Sequence, residues 1–175
     1  MKNYLCVLFI SFIFLFTLET NVKANDVYFI DYSKVMNESK AGKKAQDYLK
    51  NLLKNSNKKF NDNGKKLKDE EKKIISQKNV VTKEEYRKKV EALRKKVFDL
   101  NKEREKTLKD IALKRKKAGD EMLKNLNPIL GKYMEENNIT VVIDKKNVLM
   151  GNKKFEITSQ IIEILNKDLK SLNIN

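Results

Sequence analysis

The sequence predicts an α+β protein, mostly α, in which a long antiparallel coiled-coil hairpin is inserted into a small β-rich oligomerisation body. Three observations carry this. Only 5 Gly and 1 Pro punctuate 175 residues, too few for a sandwich, barrel or doubly wound sheet, which need a turn every ~10 residues. Apolar residues recur at 3/4 spacing through the middle of the chain, with a single loss of period. Short β-branched and aromatic runs that read as strands stand at the two ends.

Residues 1–24 read as an address, not as structure. Lys2 precedes an apolar run from Leu5 to Leu18, and Val22-Lys23-Ala24 supplies small residues before a cleavage point. The run is shorter than the ~20 residues of a spanning helix. Cleavage after Ala24 removes Cys6, the single cysteine, so the mature chain works outside the cytoplasm without disulfides. ATP is absent from such a compartment, and any mechanism there runs on binding energy alone.

Residues 25–36 and 137–175 form the predicted body. Val27-Tyr28-Phe29-Ile30 ends at Asp31, and Ile139-Thr140-Val141-Val142-Ile143 ends at Asp144. A third run, Val148-Leu149-Met150, follows a turn at Lys145-Lys146-Asn147. Thr158 is the expected N-cap of a last amphipathic helix with Ile161, Ile162, Leu165 and Leu169 on its buried face. A unit of roughly 50 residues without disulfide or metal is marginal alone. Its strands are apolar on both faces, so Val27, Phe29, Ile30, Val141, Ile143 and Leu149 are candidates for contact between copies.

Residues 37–136 form the hairpin, with its tip near 76–82. The first arm reads as helix from about Val35 to Ile75, with a seam of Leu49, Leu53, Phe60, Leu67 and Ile74. Ser56, Asn63 and Glu70 occupy other heptad slots, so the seam is half polar. Thr82-Lys83-Glu84-Glu85 is a capping box that restarts the helix. The second seam then steps by 4 and 3 through Tyr86, Val90, Leu93, Val97, Leu100, Arg104, Thr107, Ile111, Lys114 and Ala118. Folding about residue 80 sets Ile74 against Tyr86, Leu67 against Leu93, Phe60 against Leu100 and Leu49 against Ile111. These eight residues serve as seam or as contact for another chain. Pro128 should kink or interrupt the second helix, and Asn137-Asn138 should end it.

Charge is concentrated. The chain carries a net +15, and residues 65–117 hold 21 basic against 10 acidic side chains. Around the tip, Lys72, Lys73, Lys78, Lys83, Arg87, Lys88 and Lys89 form a candidate surface for acidic chains or anionic lipid. There is no histidine and no G-x-x-x-x-G-K-[ST] motif, so histidine metal sites and His-dependent triads are excluded. No enzyme, metal site or cofactor is expected. Nucleic-acid binding would suit the charge, but the leader and the lack of aromatic residues among the lysines argue against it. A basic coiled-coil envelope adaptor without chaperone activity is the other alternative.

Taken together, the leader, Val27–Ile30, Asp31-Tyr32-Ser33-Lys34-Val35, Glu38-Ser39-Lys40-Ala41-Gly42-Lys43-Lys44-Ala45, the basic hairpin, Ile139–Asp144, Val148-Leu149-Met150 and Ile157-Thr158 resemble the Skp/OmpH periplasmic chaperones. Glu156 departs from the Asp usual in the family before Ile-Thr, which bears on the helix start alone. The resemblance implies a periplasmic homotrimer whose β-rich body holds three helical tentacles around a cavity. It implies a holdase that keeps unfolded outer-membrane β-barrel proteins soluble on their way to the barrel-assembly machinery. Lipopolysaccharide or other anionic lipid is a further implied partner, with no residues assigned to it.

Overall fold

The computed structural model describes residues 26–174; the segment expected to be a leader, residues 1–24, lies outside the described residues. Strand β1 (Val27–Ile30) leads into helix α1 (Tyr32–Glu38), then α2 (Lys40–Ser76), α3 (Lys83–Glu136), strand β2 (Val141–Asp144) and helix α4 (Thr158–Asp168). The two strands pair in parallel, with Val27 opposite Val141 and Ile30 opposite Asp144. Parallel neighbours need a long connection, and the whole hairpin is that connection.

Asp31 ends β1 and begins α1, its carboxylate accepting the Lys34 amide at 2.8 Å. The first arm is not one helix from Val35, as the unbroken pattern suggested, because the chain breaks at Ser39. There the backbone is extended (φ −67°, ψ 150°), and the buried hydroxyl accepts the Gly42 amide at 3.2 Å. Gly42 permits the corner, since a Cβ at that position would lie 2.3 Å from the Met36 carbonyl oxygen.

α2 and α3 hold 37 and 54 residues, about 55 and 80 Å at 1.5 Å per residue. The capping box forms as expected: Thr82 Oγ1 accepts the Glu85 amide at 3.2 Å, and Glu85 Oε2 accepts the Thr82 amide at 3.1 Å. Pro128 does not interrupt α3, which runs on to Glu136. Pro128 and Lys124 are both exposed, on the side where solvent can replace the donor that proline lacks. The helix stops at Asn137 and Asn138. Asn138 takes a left-handed φ of 53°, and the Ile139 amide returns to the Met134 carbonyl at 2.9 Å.

The third strand does not form. Lys145–Asn147 and Lys153–Phe155 are short 3₁₀ turns, and the Val148-Leu149-Met150 segment between them is unpaired. Leu149 and Met150 are fully exposed. The segment that does reach β1 lies further on, where the Ile157 amide donates to the Phe29 carbonyl at 3.0 Å.

Thr158 does not cap α4 as expected. It is the first helical residue, and Ile157 occupies the cap without a side-chain bond. The buried Thr158 hydroxyl instead accepts the Asp31 amide at 2.9 Å and donates to Glu156 Oε1 at 3.1 Å.

Two cores result. Ile30, Val35, Ile157, Ile161, Ile162 and Leu165 pack with Met122 and Leu126 of α3. The terminal segments therefore do not build a core by themselves; the root of the hairpin completes it. Each such side chain, fully buried, contributes about 1.5–3 kcal/mol. A second core joins Ala45 and Leu49 of α2, Ala118 of α3 and Ile174 near the chain end. Beyond α4 the tail lies back along the hairpin root, where Lys114 Nζ donates to the Ile174 carbonyl at 3.2 Å.

Candidate functional site: the hairpin arms and tip

The side chains singled out for function sit in three places. Along the hairpin, Leu49, Phe60, Ile74, Leu93 and Ile111 are buried, while Leu67, Tyr86 and Leu100 are half-buried. Leu49 departs from the pairs expected from folding about residue 80, while Leu67 and Leu93 come to one groove. Leu67 lines that groove with Leu93, Val97 and Leu100 of α3. Leu49 packs with Ala118 and Ile174. Each apolar side chain of an antiparallel pair falls between two of the opposite helix, which a mirror-image pairing about one residue does not capture.

Polar seam slots are put to use. Glu70 accepts from Lys96 Nζ across the arms at 2.6 Å, and Lys59 pairs with Glu103 at 2.6 Å. Lys114 takes up the tail. Both cross-arm pairs are exposed, so each is worth about 0–1 kcal/mol; they bias the register more than they hold it. Sequence reasoning missed them, because Lys59, Lys96 and Glu103 lie beside the seam.

At the tip all seven basic candidates are exposed. Lys72 lies 3.7 Å from Asp69, Arg87 3.8 Å from Glu91 and Lys88 3.2 Å from Glu84, each within its own helix. Lys89 donates to Gln77 Oε1 across the turn at 2.6 Å. Lys73, Lys78 and Lys83 make no ion pair among the described residues, so their charge faces solvent uncompensated. The Thr82 amide and hydroxyl hold the Glu85 carboxyl below its ordinary range, aided by nearby Lys89. That carboxylate serves the cap.

In the body, Phe29 and Ile30 are buried, Ile143 is half-buried, and Val27, Val141 and Leu149 are exposed. Register sets Val27 beside Val141 and Phe29 beside Ile143, while Leu149 stands apart in the unpaired segment. Tyr32 donates to the Gly119 carbonyl at 2.9 Å. Burial raises its phenol above the ordinary value, with Asp120 and Asp144 acting in the same direction.

Apolar side chains off the seam are a feature the heptad pattern passed over. Phe98 is 64% exposed and Leu113 56%, while Ile75 and Val80 stand out at the tip. Their signal was present in the sequence as apolar residues out of phase with the seam. Among the described residues no cluster of three or more metal-ligating side chains occurs, and no helix is long and apolar enough to cross a membrane.

The family model of OmpH-like outer membrane proteins matches residues 26–165, from before β1 into α4. The chain belongs to that family. Among solved structures, this OmpH-like chain is similar to a Caulobacter crescentus protein provisionally assigned as an OmpH-like outer membrane chaperone. The TM-score is 0.76 at 18% identity, over 84% of this chain and 87% of that one. At that identity the likeness speaks for the fold. No curated protein matches the chain in sequence. The tail that closes the second OmpH-like core lies beyond residue 165, outside the family match.

Proposed function

We propose that this OmpH-like protein is an ATP-independent periplasmic holdase, which binds unfolded outer-membrane β-barrel proteins between basic helical arms and keeps them from aggregating before membrane insertion. The observation that carries this is the apolar surface of the arms. Phe98, Leu113 and Ile75 are more than half exposed on rods over which no further layer lies among the described residues. Family membership supports the same reading.

Unfolded β-barrel strands alternate apolar and polar residues and aggregate by edge pairing. A holdase must shield many such strands while gripping none tightly. Separate apolar side chains along two helices give weak contacts, and their multiplicity raises the effective concentration of each further one. The basic surplus of residues 65–117 draws in acidic chains or anionic lipid over distances screened beyond ~8 Å. Copies associate through Val27, Val141, Leu149 and their neighbours, as a homotrimer enclosing a cavity. Delivery to the barrel-assembly machinery follows, and nucleic acid is not a partner in the cell.

The deciding experiment is light scattering from a urea-denatured outer-membrane β-barrel protein diluted into buffer. Suppression at near-stoichiometric amounts of the purified protein supports the holdase. Undiminished scattering would leave a basic coiled-coil adaptor of the envelope. Sedimentation of the same preparation as a monomer would remove the trimeric cavity.

A further inference from the structure

Two glycines of α2 differ in what surrounds them. Gly42 is required by the main-chain contact described above. Gly64, in mid-helix, is required by no packing among the described residues: beyond its own helix backbone, a Cβ there meets no described atom within 4 Å, as is also true of Gly131 in α3. Glycine destabilises a helix interior relative to alanine, and no contact within the fold offsets that. The space over Gly64 is one end of a groove of ≈ 750 Å³ between the arms. Leu67 and Val97 lie along it, and Phe98, 64% exposed, stands on its α3 side. Lys68 and Arg94 also line it, and neither makes an ion pair among the described residues. Glu71 is the one carboxylate in the lining.

We propose that this groove is a discrete docking site for an extended segment of unfolded polypeptide. An aromatic or branched side chain of the segment enters the notch over Gly64 against Phe98, and a neighbouring carboxylate meets Lys68 or Arg94. The inference rests on the holdase reading and deepens it, replacing a uniformly weak surface with one position of chosen shape and charge. Complementarity argues for this occupant. The notch is apolar, cations outnumber the lone carboxylate in its lining, and it lies within the stretch where basic residues outnumber acidic ones two to one. A strand segment carrying aromatic and acidic side chains in turn matches both.

The protein has no tryptophan, so a tryptophan in a peptide probe reports on the peptide alone. The probe is a synthetic peptide alternating Trp or Val with Asp, titrated with the full-length purified protein at low salt. A blue-shifted emission on binding is expected. Gly64→Met should fill the notch and weaken binding roughly tenfold while thermal stability stays level or rises. Phe98→Ser should weaken binding by a similar factor, with stability little changed at so exposed a position. A peptide with Lys in place of Asp should bind more weakly than the acidic one.

Three outcomes overturn the proposal: no binding to the unaltered protein, affinity retained by both variants, or a change of oligomeric state in both, which would make the groove an interface between copies. Aggregation assays separate this from the holdase reading. If the unaltered protein suppresses aggregation and both variants bind the peptide as it does, only the groove falls. If it fails to suppress aggregation yet Gly64→Met abolishes peptide binding, the groove stands and the holdase falls.

Discussion

The ammonium of Lys114, in the middle of α3, donates to the carbonyl of Ile174 at 3.2 Å, joining the second arm to the far end of the chain. The Ile174 side chain is buried against Ala45, Leu49 and Ala118 in the same place. Removing residues 170–175 should therefore lower the thermal midpoint. Ile174→Ala should cost about 2 kcal/mol in urea denaturation, and Lys114→Met within about 1 kcal/mol. A truncated protein that melts like the full chain would show that the tail merely rests there.

The Thr158 hydroxyl links the start of α1 to the segment before α4, through the Asp31 amide and Glu156. Thr158→Val keeps the shape and leaves the Asp31 N–H without its partner, an expected loss of about 1–2 kcal/mol. Thr158→Ser keeps the hydroxyl and should lose no more than about 0.8 kcal/mol, one methyl's worth of burial. Chemical denaturation ranks the pair. Equal losses would mean that packing, not the bond, is what matters there.

Gly42→Ala sets a Cβ against the Met36 carbonyl and the Ser39 hydroxyl. Main chain cannot swing aside as a side chain can, so a loss of about 1–3 kcal/mol is expected. Hydrogen exchange should place the loosening at residues 36–45 while leaving the distal arms as protected as before.

Glu156 titrates below the ordinary carboxylate range, chiefly because Lys145 Nζ donates to both its oxygens at 3.0 Å, with Thr158 adding a further bond against an opposing burial effect. A carboxyl with a depressed folded-state pKa adds stability above its unfolded pKa and loses it as pH falls through the folded value. Urea midpoints followed from neutral to acid pH should decline. Glu156→Gln should flatten that decline, and Lys145→Met should do so in part. An unchanged acid limb in both variants would assign the decline to other carboxylates.

The parts of the molecule legible in the sequence are those settled locally. Thr82 and Glu85 satisfy each other within one helical turn, so the restart of α3 is visible from four letters. The two arms declare themselves by phase, and the lysines near the tip by position alone. The break at Ser39 depends on Gly42 passing close to Met36, which no periodicity reports. Val148-Leu149-Met150 has strand composition but lacks a neighbour to pair with, since β1 meets β2 on one edge and Glu156, opposite Phe29, on the other. The same limit hid the groove. Heptad phase shows which residues face the other arm, while open space over Gly64 appears only once the register is fixed.

The parallel pairing of Val27 with Val141 also governs how the molecule comes into being. β1 precedes both arms in the chain and β2 follows them, so that strand has no mate until residues 141–144 have been made. A flexible loop of that length would close slowly. A hairpin that zips from its tip, where Thr82 starts the second arm, would shorten this closure, because each added turn draws the two ends nearer. On that route assembly runs from the remote end inward, and a chain caught partway would have its rods before its base.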